Sequence, residues 1–155
     1  MNPDLSHLPP GYHSVTPSLT VRDAAAALEF YGKAFNAVES YRLADEKAGK
    51  IMHAEFRIGN SVIMLSDEYP EWNAFAPEIG KGTSFMIYVA DSDAAFAQAI
   101  AAGATEIMKP ADQFWGDRNG VVADPYGYRW NLAQKVKELS LEEVQKLAAS
   151  FKPGC

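Results

Sequence analysis

The sequence has little cysteine or histidine, few positive charges, and no long hydrophobic run. Its single cysteine, Cys155, cannot form a disulfide within the chain, so no oxidising compartment is implied, and because it follows a Pro-Gly pair we expect a loose tail thiol rather than a nucleophile. The longest apolar stretches, residues 24–28 and 85–90, are far shorter than a membrane span. The 14 Lys and Arg residues against 20 Asp and Glu give a net charge of −6, with no basic cluster for a phosphate backbone. We therefore expect a cytoplasmic protein without membrane or nucleic-acid partners.

The sequence contains one pattern twice. Of its 155 residues, 48% are hydrophobic and 22% charged, which is typical of one globular domain or two small modules. Val21 and Asp23, at the end of a strand-like run, recur as Val89 and Asp91, at an offset of 68. An alanine-rich stretch of helical periodicity follows each aspartate, which is a favourable N-cap residue. This internal similarity indicates a duplicated structural unit.

Three further strand-like runs follow each predicted helix, so that each half is predicted to be a βαβββ unit. In the first half these runs are residues 38–43, 51–58 and 61–66, with Gly59-Asn60 as a tight turn; in the second they are 105–109, 120–123 and 129–133. The predicted organisation is an N-terminal arm over residues 1–11, a first module over 12–67, a linker loop over 68–82, a second module over 83–134, and a C-terminal helix and tail over 135–155.

Several short motifs carry a family resemblance when their order and spacing are taken together. They are Glu29-Phe30-Tyr31, the run 51–55 (IMHAE), the run 112–118 (DQFWGDR) and the run 124–130 (DPYGYRW). With the duplicated βαβββ pattern, they make the chain resemble the vicinal oxygen chelate superfamily, which includes glyoxalases, bleomycin resistance proteins and extradiol dioxygenases. The same motifs resemble its PhnB-like branch. The resemblance implies an α+β fold in which two tandem modules form a U-shaped mixed sheet around a cavity, with the helices outside.

Metal-using members of that superfamily hold a divalent ion with four side chains, two from each module. The resemblance places those positions at Thr16, Met64, Ser84 and Asn131. Strand alternation agrees: with Val15 and Leu19 toward the helix, Thr16 faces the cavity. Hydroxyl, thioether and carboxamide groups are poor ligands for zinc, nickel or iron, which prefer imidazole, carboxylate or thiolate. We therefore expect no metal ion and no other cofactor.

Polar and apolar residues alternate along the run 51–58. Met52, Ala54, Phe56 and Ile58 form an apolar face that is predicted to pack on the helix, which directs His53, Glu55 and Arg57 into the cavity. His53 and Glu55 are candidates for binding a polar group or for moving a proton in catalysis. The alternative is a hydrogen-bonded trio on a solvated face of the sheet.

Aromatic residues in the second half suggest a ligand wall. Phe114 and Trp115 lie in a glycine-containing loop, where they would stack on a planar ligand while Arg118 pairs with an anionic group. Alternatively, the two rings fill a hydrophobic gap or a dimer interface. Tyr88 shares the predicted cavity face with Ser84, whereas Trp130 alternates with Asn131 and is therefore interpreted as a core residue.

These observations favour a metal-free small-molecule-binding protein that forms a homodimer and sequesters a toxic or aromatic compound. No nucleophile elbow, catalytic triad or phosphate-binding glycine loop is present in the sequence. The alternative is an enzyme, a lyase, isomerase or dioxygenase, with an atypical metal site or with acid–base chemistry at His53 and Glu55. The predicted ligand-binding residues are Thr16, His53, Glu55, Met64, Ser84, Tyr88, Trp115, Arg118 and Asn131.

Overall fold

A computed structural model describes residues 4–151, so the prediction made for Cys155 lies outside the described residues. The first module contains β1 (Ser18–Val21), α1 (Ala24–Phe35), β2 (Val38–Asp45), β3 (Lys50–Ile58) and β4 (Ser61–Asp67). After a short 3-10 helix (Pro70–Trp72), the second contains β5 (Ser84–Tyr88), α2 (Ser92–Ala101), β6 (Thr105–Asp112), β7 (Asp117–Ala123) and β8 (Arg129–Lys135). The last element is α3 (Leu141–Ser150).

The strands form two four-stranded mixed sheets with identical topology, in the orders β1-β4-β3-β2 and β5-β8-β7-β6. In each sheet the first strand of the module runs parallel to the last, and the remaining pairs are antiparallel. Ser18 pairs with Met64 in the first sheet, and Met86 pairs with Asn131 in the second. The predicted α+β fold of two tandem βαβββ modules is therefore confirmed.

Both module helices begin where the sequence predicts. The side chain of Asp23 accepts a hydrogen bond from the backbone N–H of Ala26, and that of Asp91 accepts one from Ala94. Each bond satisfies one of the backbone donors that a helix leaves unpaired at its first turn. At its other end, α1 stops at Asn36, which adopts a left-handed conformation that ends the helix.

The two modules share one hydrophobic core, and α1 contacts both sheets within it. Tyr31 stacks on Phe56 of β3, with ring centroids 5.3 Å apart, and lies 5.4 Å from Trp130 of β8. Phe35 lies 4.8 Å from the same tryptophan. Trp130 is only 1% exposed, which agrees with its interpretation as a core residue. Burying these large rings removes extensive apolar surface from water and holds the modules together.

Asp124 accepts four hydrogen bonds, one of which, from Tyr31, joins the two modules. Its Oδ1 accepts from the backbone N–H groups of Tyr126 and Tyr128, and its Oδ2 accepts from the Tyr31 hydroxyl (2.7 Å) and from Nε1 of Trp130 (2.8 Å). Burial, together with this carboxylate, raises the pKa of Tyr31, so the phenol stays a proton donor. The motif at residues 124–130 thus has a structural role in addition to forming a turn.

The structure corrects three details of the sequence interpretation. Val15 does not face the helix but is 81% exposed, because β1 begins only at Ser18. Met52 is 38% exposed rather than packed on the helix, because the register between β2 and β3 shifts beside Leu43. Strand β6 ends at Asp112 and β7 begins at Asp117. The predicted loop at 112–118 is therefore only a short hairpin connection between these two strands.

The C-terminal helix α3 has the capping box that its sequence predicts. The Ser140 hydroxyl accepts from the backbone N–H of Glu143, whose carboxylate accepts from the backbone N–H of Ser140. No residue of α3 is buried. No helix between residues 4 and 151 has both the length and the apolar character needed to cross a membrane.

Candidate functional site

A cleft of about 580 Å³ lies between the segment that leads into β1 and the free edge of β5. Its floor is apolar and aromatic and contains Phe35, Phe85 and Trp130. Polar groups line other parts of its wall: His13, Thr16, Asn36, Asn60 and Tyr88. A concave site of this size, with an apolar floor and a few polar groups, has the usual features of a small-molecule site.

The four positions that correspond to the family metal site lie on, or just before, the first and last strands of the two modules. Thr16 lies just before β1 and lines the cleft, whereas Met64 is half-buried on β4. In the second module the Asn131 amide donates to the Ser84 hydroxyl at 2.7 Å and to the Phe85 carbonyl at 3.1 Å. Alternation is confirmed within that module, since Asn131 and Ser84 meet on the face opposite Trp130.

The donor chemistry at these positions does not fit a transition metal. Thr16 and Ser84 carry neutral hydroxyls, Met64 a thioether and Asn131 a carboxamide, so none compensates the charge of a divalent ion. Within residues 4–151, no three His, Cys, Asp or Glu side chains lie close enough together to form a metal site.

Glu55 is the centre of a polar cluster on the face of the first sheet that points away from α1. It is only 5% exposed, although it lies between Tyr41 of β2 and Met64 of β4. Its Oε1 accepts from the Tyr41 hydroxyl (2.9 Å) and lies 3.3 Å from Nε2 of His53. Its Oε2 accepts from the hydroxyl of Tyr12, which reaches across from the N-terminal segment. The predicted proximity of His53 and Glu55 is therefore present.

These hydrogen bonds favour the ionised form of Glu55. The largest effect comes from the phenol of Tyr12, which lowers the pKa of the Glu55 carboxyl. The Tyr41 phenol and His53 lower it further. In return, the carboxylate raises the pKa of both tyrosines. The cluster therefore consists of one carboxylate, held ionised, and two phenols, held as donors.

We expect the contribution of Glu55 to stability to depend on pH. Because its pKa is lowered on folding, that contribution is present above the ordinary value of 4.5 and is lost as the pH falls through the lowered pKa. Urea unfolding of the wild type and of Glu55→Gln at a series of pH values checks this expectation. The stability difference between the two should be largest near neutral pH and shrink below pH 4.5. A difference that stays constant with pH would contradict it.

The other predicted ligand residues of the second module lie apart from the Glu55 cluster. Tyr88 is 65% exposed and forms part of the cleft wall. Trp115 lies in the connection between β6 and β7, where its Nε1 donates to Asp117 at 3.0 Å. Arg118 points to the helix side and pairs with Asp93 and Asp112, so two carboxylates already occupy its guanidinium. These two pairs raise the pKa of Arg118.

Sequence reasoning missed two parts of this site. No role was assigned to Tyr12 at the start of the first module. In the structure its hydroxyl donates to Glu55, which lies 43 residues further along the chain. The aromatic floor of the cleft was also missed, because Phe35 and Phe85 come from different modules.

Comparison with known proteins assigns the family. The profile of the Glyoxalase/Bleomycin resistance protein/Dioxygenase superfamily matches residues 11–132, so the chain belongs to this superfamily. The Mycobacterium bovis protein Mb0911c is 43% identical over 146 residues, which cover 91% of this chain and 95% of that protein.

Solved structures show the same fold. The Arabidopsis thaliana product of At5g48480 matches with a TM-score of 0.64 and 27% identity, covering 79% of this chain and 98% of that one. TioX from Micromonospora sp. ML1 matches with a TM-score of 0.65 and 22% identity over the same shares. At the identity of TioX, the likeness concerns the fold alone.

Proposed function

We propose that the protein binds a small, planar, mostly apolar molecule in the cleft between its modules, without a metal ion. The cleft-lining residues Phe85 and Tyr88 support this proposal, because their rings are at least partly exposed and aromatic rings stack on planar ligands. Thr16 and Tyr88 would give such a ligand hydrogen-bonding partners at the wall. Sequestration of a toxic or aromatic compound is the simplest function that such a cleft serves.

The side chains at the four family metal positions are the reason for proposing a site without a metal ion. Each of the four family positions carries a neutral side chain with low affinity for zinc, nickel or iron. The enzymatic alternative, with acid–base chemistry at His53 and Glu55, stays a prediction. So do the PhnB-like branch, the homodimer and the cytoplasmic location.

We expect Tyr88→Ala to weaken ligand binding in the cleft. A neutral planar probe, 2-naphthol, should raise the apparent melting temperature of the wild type, because it binds only the folded state. Loss of the Tyr88 ring should raise the Kd of this probe about fivefold, since one aromatic contact contributes about 1 kcal/mol. Fluorescence titration measures the Kd.

Phe75→Ala is the matched control for this prediction. Phe75 is 58% exposed, similar to Tyr88, but it is not among the residues that line the cleft. Its loss should leave the Kd of 2-naphthol unchanged. Equal effects of the two substitutions, or no saturable binding by the wild type, would refute the cleft as the binding site.

A further inference from the structure

Glu55 differs from the other buried carboxylates in what holds it. Asp117 pairs with Lys135 at 2.9 Å, Asp67 accepts from two backbone N–H groups, and Asp124 accepts two backbone and two buried side-chain donors. Within residues 4–151, no Lys or Arg nitrogen lies within 4 Å of the Glu55 carboxylate. Its donors are two neutral phenols and an imidazole. Glu55 is therefore an ionised carboxylate held only by partly exposed side chains, and a cationic group that replaced one of them would form a charge-assisted hydrogen bond.

The donors around Glu55 can be replaced. Tyr41 is 44% exposed and lies on β2, the edge strand of the sheet, and the His53 side chain is 32% exposed. Tyr12 belongs to the segment before β1, which is held nearby by a long contact (3.4 Å) from Arg57 to the Gly11 carbonyl. By contrast, the donors to Asp124 are either backbone groups or buried side chains. Removing Tyr12 from Oε2 therefore requires no rearrangement of the core.

The surroundings of the carboxylate are aromatic and apolar on the side of β2 and β4, while the guanidinium of Arg57 lies on the side of Tyr12, at the Gly11 carbonyl. The rings of Tyr41 and His53 lie 5.7 Å apart and are tilted by 45°, and both flank Glu55. Leu43, which pairs with His53, is 52% exposed on the same face, and Met64 lies on the other side of Glu55. An anion flanked by aromatic rings and apolar side chains is the environment that attracts an organic cation.

We propose that the Glu55 cluster is a binding site for an organic ammonium group, separate from the cleft. The ammonium takes the place of the Tyr12 hydroxyl at Oε2 and donates to the carboxylate. The faces of Tyr41 and His53 contact the cation, and Leu43 and Met64 contact the apolar body attached to it. The hydroxyl of Tyr12 competes with the ligand and covers the carboxylate when no ligand is bound.

Nuclear magnetic resonance titration with benzylammonium tests this proposal, with benzyl alcohol as an uncharged probe of nearly the same shape. Near neutral pH, benzylammonium should shift the backbone amides of residues 53–57 and bind about tenfold more tightly than benzyl alcohol. Benzyl alcohol binding equal to benzylammonium binding would overturn the proposal. Shifts confined to residues 85–89 would place both probes in the cleft, and would also overturn it.

Two substitutions test the roles assigned to the cluster. Tyr12→Phe removes the competing hydroxyl and keeps the ring, so benzylammonium should bind about threefold more tightly. Glu55→Gln removes the charge, so its affinity should fall about tenfold, to that of benzyl alcohol. Glu39→Gln is the matched control, because Glu39 lies on β2 but is paired with Arg42. It should change nothing.

The outcome does not depend on the stability of any one variant. If Glu55→Gln fails to fold, Tyr12→Phe still tests the proposal, because it retains the Glu55 carboxylate and removes only the competing hydroxyl. Unchanged or weaker binding of benzylammonium to Tyr12→Phe would overturn the proposal. Binding of 2-naphthol in the cleft is measured separately, and its failure would affect the proposed function without affecting this site.

Discussion

Asp124→Asn should lower the free energy of unfolding by about 3 kcal/mol, since it leaves a buried donor unpaired and weakens three other bonds. The asparagine oxygen can still accept from the backbone N–H groups of Tyr126 and Tyr128. Its Nδ2 then faces Nε1 of Trp130 and the Tyr31 hydroxyl. The tyrosine can rotate its hydroxyl and accept, but the indole is only a donor.

Urea unfolding followed by far-ultraviolet circular dichroism measures this effect. Asp23→Asn is the matched control, because it makes the same chemical change at an exposed N-cap, where asparagine serves as well as aspartate. The control should change the free energy of unfolding by less than about 0.5 kcal/mol. Similar losses in the two variants would mean that the four bonds to Asp124 contribute no more to stability than those of an exposed N-cap.

Trp130→Ala should lower the free energy of unfolding by about 4 kcal/mol, through lost burial and the cavity left behind. Its indole is 1% exposed and lies 4.8 Å from both Phe35 and Phe85, measured between ring centroids. These neighbours belong to α1 and β5, so the cavity would open where the modules meet. The same unfolding experiment gives the value.

Trp72→Ala provides the comparison for Trp130→Ala. Trp72 is 59% exposed, and it stacks on Tyr69 with ring centroids 4.2 Å apart. Removing it should cost about 1 kcal/mol or less, because little buried area is lost. Should the two tryptophan variants prove equally stable, the shared core would not be the main source of stability.

Local patterns in the sequence were sufficient for much of the fold. The aspartate caps, the helical spacing and the two-residue turn at Gly59 predicted the elements, because each depends on residues within a few positions. Alternation placed Trp130 in the core and Asn131 on the opposite face. It failed at Val15, because alternation holds only within a strand and β1 starts three residues later.

The site was less predictable, because its contacts join residues that are distant in the chain. The proximity of His53 and Glu55 follows from their spacing on one strand. The contact of Tyr12 with Glu55 depends on the path of the N-terminal segment, which no local propensity sets. Similarly, the charge of Arg118 suggested an anion site, but its partner Asp93 lies on a helix 25 positions away.

The position of α1 has a consequence for the duplicated architecture. Its rings contact Phe56 in one half and Trp130 in the other, so neither half encloses its own interior. If the chain were cut between residues 68 and 82 and the halves separated, each half would expose a large apolar surface to water. We therefore expect the two halves to unfold together as one cooperative unit, so that a destabilising substitution in one half also destabilises the other.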